Sequence, residues 1–293
     1  MSALEAHVDE WEGHDVRVAD VERELGALRG TDGDGAAFRT SVMTHVAWVP
    51  PEWEGAARAT LAGFDELYPS RTLLLLPAPG EPDGLDARTS LNCSATAGSR
   101  HVCTELVELR LRGARAEAPG SVVAPLLLPD LPVFLRWRGE PTFDSRPFAS
   151  LAALVDRLVI DSREWTDLPA SYARVAKLCS DHLAVSDIVW TRGTPWRAAL
   201  AALWPQIAEV RTLGVTGPLA DALLLTGWLR SRLDRPVALE HDYAGEVEAV
   251  AVDGRPVEMP REPVPSQSDL LSGELDRFGR DPVYEAAVRA AGR

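Results

Sequence analysis

The sequence has a single lysine, Lys177. Lysine chemistry is therefore almost removed: a Schiff base or the lysine of a phosphate loop would have to be Lys177, whose neighbours form neither context. Cysteine is scarce too. Cys93, Cys103 and Cys179 form no C-x-x-C pair, which suits a reducing compartment. No apolar run approaches the ~20 residues of a membrane span. The N-terminus, MSALEAHVDEWEG, is acidic and lacks an apolar signal core, so the expectation is a cytoplasmic protein. Also missing are G-x-G-x-x-G, G-x-x-x-x-G-K, G-x-S-x-G, H-E-x-x-H and any histidine pair at helical ligand spacing. Gly30–Gly35 (GTDGDG) is accordingly a loop and not a phosphate loop.

What is present is a composition of 46% hydrophobic and 25% charged residues, that of a soluble globular protein. The 293 residues suit one large or two modest domains. Acidic residues outnumber basic ones 44 to 30, a formal charge of −14. Nucleic acid and anionic membrane are thereby disfavoured as main partners, because both select a cationic footprint. Local basic patches are compatible with that total, and Arg136/Arg138 and Arg192/Arg197 are the candidates.

Periodicity divides the chain in three. Residues 1–35 are an acidic segment with one helix, Val18–Arg29, followed by the Gly-rich linker. Residues 36–163 read as an α/β domain. Its strands are Arg39–Val49, Arg71–Leu76, Thr89–Thr96, Val102–Leu111 and Leu158–Ile160. A helix entered at Pro50-Pro51 carries Trp53, Ala57, Leu61, Phe64 and Tyr68 on one face, and a second helix covers Phe148–Val155. Residues 164–293 read as an α+β domain with a helical tail. Helices are expected at Leu168–Leu183, Pro218–Leu233, Asp269–Phe278 and Asp281–Ala291. Strands are expected at Ala208–Val215, Val237–Leu239 and Val247–Val257, the last with a turn at Asp253-Gly254. Asp187–Arg197 reads as a loop running into a helix that continues to Trp204. The fold class is thus α/β, a Rossmann-like layered domain followed by a C-terminal α+β domain.

The stretch Pro125–Gly139 (PLLLPDLPVFLRWRG) is the most apolar and the most interrupted. It reads as a short apolar helix, a Pro-Asp turn and a strand that delivers Arg136, Trp137 and Arg138 to its carboxyl end, where open α/β sheets usually meet ligands and partners. Tryptophan and arginine recur together at Trp190/Arg192 and Trp196/Arg197. These are the residue types most enriched in interface hot spots, and the corner they form, with Thr194 capping a helix opened by Pro195, presents rings and guanidinium groups together. The competing reading is a loop folded onto its own core. His101, Cys103 and Cys93 could in principle make a zinc site, but sulfur in a sheet is more often packing, so no metal is assigned. Asp130, Asp144, Asp156 and Asp161 could do acid–base work; turn and cap roles weigh more heavily.

Five stretches occur in order: PLLLPDLPVFLRWRG, DRLVIDS (Asp156–Ser162), DIVWTRGTPWRAALAALW (Asp187–Trp204), LLLTGWLRSRL (Leu223–Leu233) and RDPVYEAA (Arg280–Ala287). In order and approximate spacing the sequence resembles the OpcA family, the glucose-6-phosphate dehydrogenase assembly proteins of actinobacteria and cyanobacteria, in its actinobacterial type. The resemblance runs from about Arg39 to the C-terminus and leaves the acidic N-terminal segment uncovered. It implies a non-catalytic subunit, without cofactor, that binds glucose-6-phosphate dehydrogenase, assists its oligomer and raises its activity at the entry to the oxidative pentose phosphate pathway. Arg136 stands where the family pattern PVFLWWRG has its first tryptophan. The redox cysteines ascribed to cyanobacterial members have no recognisable counterpart.

The expected partner-binding residues are Arg136, Trp137, Arg138, Trp190, Arg192, Trp196 and Arg197. One alternative is a sugar-phosphate enzyme, with Arg71, Arg136 and Arg138 gripping the phosphate and Asp130 or Asp161 as base. Another is a diverged paralogue that binds a different enzyme, with Arg136 as its one hint.

Overall fold

The structure is a computed structural model. It describes residues 7–30, 41–62, 70–96, 100–180, 183–258 and 265–292. The chain divides into two compact units, Met1–Leu158 and Val159–Arg293.

The first unit contains β1 (His7–Gly13), α1 (Val18–Gly30), β2 (Met43–Trp48), α2 (Glu54–Ala62), β3 (Ser70–Ala78), β4 (Gly84–Thr96) and β5 (Arg100–Arg112). Two single-turn helices follow, α3 (Ala114–Glu117) and α4 (Gly120–Val123), then β6 (Val133–Trp137) and α5 (Arg146–Ala152). Strand β7 (Arg157–Ile160) carries the division between the units. The described strands form two sheets, of eight and four strands, and within the first unit the order along the larger sheet is β1-β4-β5-β3-β2-β6. Strands β5, β3, β2 and β6 run parallel, while β4 and β1 add antiparallel hairpin-like pairing at one side.

Strand β3 is central because its run of leucines can be covered on both faces; Leu73, Leu74 and Leu75 are completely buried. Its one charge, Arg71, is buried opposite Glu105 of β5 and donates to Glu105 Oε2 at 2.7 Å and to the Leu126 carbonyl at 2.7 Å. Periodicity missed β1 because HVDEWEG has no continuous apolar face. Backbone pairing to β4 makes it a strand, and Glu10 accepts from Arg88 at 2.8 Å. The helix expected to reach Tyr68 is described as far as Ala62; Phe64 and Tyr68 lie outside the described residues, as do Arg39 and Thr40 of the expected first strand. The helix expected after Pro125 is instead a 3-10 turn at Ala124–Leu126.

The second unit contains α6 (Leu168–Ser180), β8 (Ala184–Asp187), α7 (Ile188–Arg192), α8 (Thr194–Ala201), β9 (Thr212–Thr216), α9 (Leu219–Leu233), β10 (Ala238–Asp242), β11 (Ala249–Val252), β12 (Arg255–Pro256), α10 (Gln267–Leu275) and α11 (Pro282–Ala291). The smaller sheet has the order β10-β9-β11-β12. Asp253 and Gly254 take positive φ of 48° and 75°, the conformation that a two-residue hairpin between β11 and β12 requires. Leu225 and Leu229 of α9 pack with Leu213, Val215 and Val250 of this sheet. The expected loop at Asp187–Arg197 is instead the last residue of β8 and two short helices. Asp187 caps the first of these by accepting from the Val189 N–H at 3.0 Å. Among the described residues no helix is long and apolar enough to cross a membrane.

Candidate functional site

Strand β6 pairs in parallel with β2, with Trp137 opposite Trp48. Pro132 sits just before it and lends its carbonyl to Thr44 at 2.9 Å, so its missing N–H costs the ladder nothing. Gly139 ends the segment at φ +74°, where a side chain is strained and a Cβ would lie 2.9 Å from the Trp53 indole nitrogen. Arg136-Trp137-Arg138 therefore stands at the carboxyl end of β6, as expected from sequence. Its exposure differs from that expectation: the three residues are 3%, 4% and 7% exposed.

Trp137 stacks on Trp48 and meets Phe148 edge-on with centroids 5.2 Å apart. Arg138 donates to Thr60 Oγ1 at 2.8 Å and to the Ala56 carbonyl at 3.4 Å, and Arg136 donates to the main-chain carbonyl of Trp137. His45, fully buried on β2, is pushed down to about 3, first by burial and then by the Arg136 and Arg138 charges, so it is neutral at physiological pH.

The Trp190–Arg197 corner also turns inward. Trp190 is buried, its indole N–H donates to Asp281 Oδ2 at 2.9 Å, and its ring lies 5.6 Å from that of Tyr284. The Arg197 guanidinium lies 3.5 Å from the Trp190 ring centroid and donates to the Trp190 carbonyl. Burial pulls Arg197 down to about 10. Trp196 is buried in the core that holds Leu200 and Leu225, and Arg192 lies 3.4 Å from Asp161 Oδ2. The expectation of exposed rings and guanidinium groups is thereby corrected: a buried indole needs an acceptor and a buried guanidinium needs carbonyls or carboxylates, and both find them inside their own unit. Trp190 and Arg197 are brought together; Trp196 packs elsewhere.

The phosphate grip of the enzyme alternative does not assemble. Arg71 is engaged by Glu105, and Asp130 occupies a positive-φ turn before the amino end of β6, whereas Arg136 and Arg138 stand at its carboxyl end. Asp161 caps a 3-10 turn by accepting from the Arg163 N–H at 3.2 Å.

Sequence reasoning missed a polar cluster in the second unit. Asp187 closes β8 and is fully buried; its Oδ1 accepts from the N–H groups of Ser162 and Val189 at 3.1 and 3.0 Å. Burial, and secondarily the charge of Asp161, pushes it up to about 7. Tyr172 and Ser162 share a hydroxyl hydrogen bond of 2.8 Å. Arg163 grips the buried Asp221 in a fork at 2.7 and 2.9 Å and reaches Glu246 at 2.8 Å. Burial nevertheless holds the Asp221 carboxyl above its usual range. The available signal was an acid at the end of a short strand run, directly after the apolar residues in LVID and one serine later in AVSD.

Among the described residues no group of three His, Cys, Asp or Glu could hold a metal. The strand register sets Cys93 opposite Cys103; the side chains of these two and of His101 lie outside the described residues. Cys179 is buried, and its thiol is pushed up to about 12 by that burial.

Fold and site together define a two-unit α/β protein with a parallel-rich sheet, in which Trp137, Arg138, Trp190 and Arg197 brace strand and helix ends of their own units. Comparison with known proteins is more particular. Residues 64–177 match the family described as glucose-6-phosphate dehydrogenase subunit N-terminal domain, and residues 183–288 match the corresponding C-terminal domain. The chain belongs to this OpcA family. It is 27% identical over 225 residues to OpcA of Nostoc punctiforme (71% of this chain, 48% of the relative). It is 29% identical over 225 residues to OpcA of Synechococcus elongatus (71% and 50%). The chain thus spans about half the length of the curated relatives it matches. Among solved structures, the WlbA (WbpB) dehydrogenase of Thermus thermophilus aligns with 85% of this chain and 94% of its own at 12% identity and a TM-score of 0.48, too distant a likeness to speak to ligand or chemistry.

Proposed function

We propose that this chain is a non-catalytic subunit that binds glucose-6-phosphate dehydrogenase in the cytoplasm and supports its active oligomer in the oxidative pentose phosphate pathway. The observation that carries this reading is that two domains named for a subunit of that enzyme follow one another along the chain, over residues 64–177 and 183–288. Residues 36–163 and 164–293 are taken as the two modules. Activation would follow from tighter binding to the active form of the dehydrogenase than to the inactive one, because an effector shifts an equilibrium only by its differential affinity.

Arg136, Trp137, Arg138, Trp190, Arg192, Trp196 and Arg197 are proposed to serve the contact mainly from beneath, as braces. Their engagement with Trp48, Thr60, Asp161 and Asp281 supports that role. The test is to mix the full chain with the dehydrogenase of the same organism. Co-elution on sizing and a change in kcat, KM or oligomer size are expected; separate elution with unchanged kinetics would overturn the proposal.

A further inference from the structure

The second unit carries a groove of about 770 Å³ between the carboxyl ends of α9 and α11 and the start of β10. That volume lies in the range of small-molecule sites. Three guanidinium groups, Arg230, Arg235 and Arg289, line it with one carboxylate, Asp234, and with apolar surface from Pro236, Val237 and Ala286. Two helix carboxyl ends would by themselves repel an anion. Arg230 reverses this locally: its Nε donates to the Val237 carbonyl at 2.9 Å and its Nη1 to the Ala290 carbonyl at 3.2 Å. No carboxylate lies within ion-pair reach of Arg230 among the described residues.

Arg235 is anchored by the Ala208 carbonyl at 2.9 Å, and its carboxylate neighbour Glu209, 3.3 Å away, is 91% exposed and readily displaced. Arg289 bonds Glu285 at 3.2 Å, but that carboxylate is already held by Arg280 at 2.6 and 2.8 Å. A guanidinium has five N–H donors in a rigid fork. Each of these three commits a minority of them to the protein, while main-chain anchors hold Arg230 and Arg235 in place. Cations with fixed orientation and spare donors suit the oxygens of a phosphate group, and the apolar wall suits an organic moiety attached to it.

We propose that this groove binds a phosphorylated small organic molecule, with the phosphate against Arg230, Arg235 and Arg289 and the organic part against Pro236, Val237 and Ala286. The proposal does not rest on the dehydrogenase reading, and its failure would leave that reading untouched. It is tested by calorimetric titration of the full chain with AMP and with ribose 5-phosphate, with adenosine as the uncharged control. Saturable one-to-one binding of at least one ester and none of adenosine is expected. Arg235→Gln and Arg289→Gln should each weaken it by about tenfold, as loss of a charge-assisted hydrogen bond predicts, with Arg289→Lys falling between parent and Gln and circular dichroism unchanged. Arg230 is left in place because it braces the helix ends. No saturable binding of either ester at millimolar concentration, or undiminished binding in the Arg235→Gln/Arg289→Gln double variant, would overturn the proposal.

Discussion

Trp137 stacks on Trp48 across the parallel β2–β6 pair, with ring centroids 5.0 Å apart and planes 18° from parallel. Both rings are buried, so the stack is core as well as contact. Trp137→Ala should destabilise the protein by about 3–5 kcal/mol, the usual cost of emptying a buried tryptophan site, and Trp137→Phe by less. Thermal and urea melts check this. A near-neutral Trp137→Ala would mean the ring is not packed as described.

The Arg163–Asp221 fork makes a second prediction. Removing the cation alone, in Arg163→Met, strands a carboxylate that is 3% exposed and should cost roughly 3–5 kcal/mol. The double change Arg163→Met/Asp221→Leu should recover most of that loss, because the desolvation of both charges disappears with them. The check is a double-mutant cycle of denaturation free energies; additive losses would contradict it.

Asp187 and His45 should give opposite pH dependences, each within its own unit. Asp187 has its carboxyl raised to about 7 from an unfolded value of about 3.9. The folded state therefore holds a proton that the unfolded state has lost. Its contribution to stability is full below about pH 4 and disappears as pH rises through about 7. His45 is lowered to about 3 from about 6.5, so its contribution is full above about pH 6.5 and is lost as pH falls towards 3. Asp187→Asn keeps an oxygen for Ser162 and Val189 and should remove the loss of stability between about pH 4 and 7. Replacing His45 by Asn should remove the loss on the acid side. Melts across that range, followed for each variant, decide both; a slope unchanged by its variant refutes the assignment.

Asp281 joins a helix cap to a tryptophan. Its Oδ1 accepts from the N–H groups of Val283 and Tyr284 at 2.9 and 3.0 Å, and its Oδ2 accepts from the Trp190 indole at 2.9 Å. Asp281→Ala should cost about 2–4 kcal/mol, the sum of a lost cap and a buried indole donor left unsatisfied. Asp281→Asn should cost less. Hydrogen exchange should show α11 opening earlier in the Ala variant, and α11 protection unchanged from the parent would count against the link.

Local pattern by itself determined a good deal. The run RTLLLL had to be a strand covered on both faces, Asp253-Gly254 had to be a tight hairpin turn, and Asp281-Pro282 had to open a helix. The ordered motifs from Pro125 to Ala287 also led to the family that the domain comparison shows. Each of these follows from chemistry within a few residues along the chain. Which way the tryptophans and arginines face was decided only by tertiary structure. Arg71 is buried because Glu105, 34 residues on, lies opposite it in the sheet. Arg163 meets Asp221 across 58 residues, and Trp190 meets Asp281 across 91. The same Trp/Arg composition would serve an exposed surface or a buried brace. The outcome depends on whether the topology brings a partner to the polar end of the side chain, as it does for Trp190 with Asp281 and for Arg71 with Glu105.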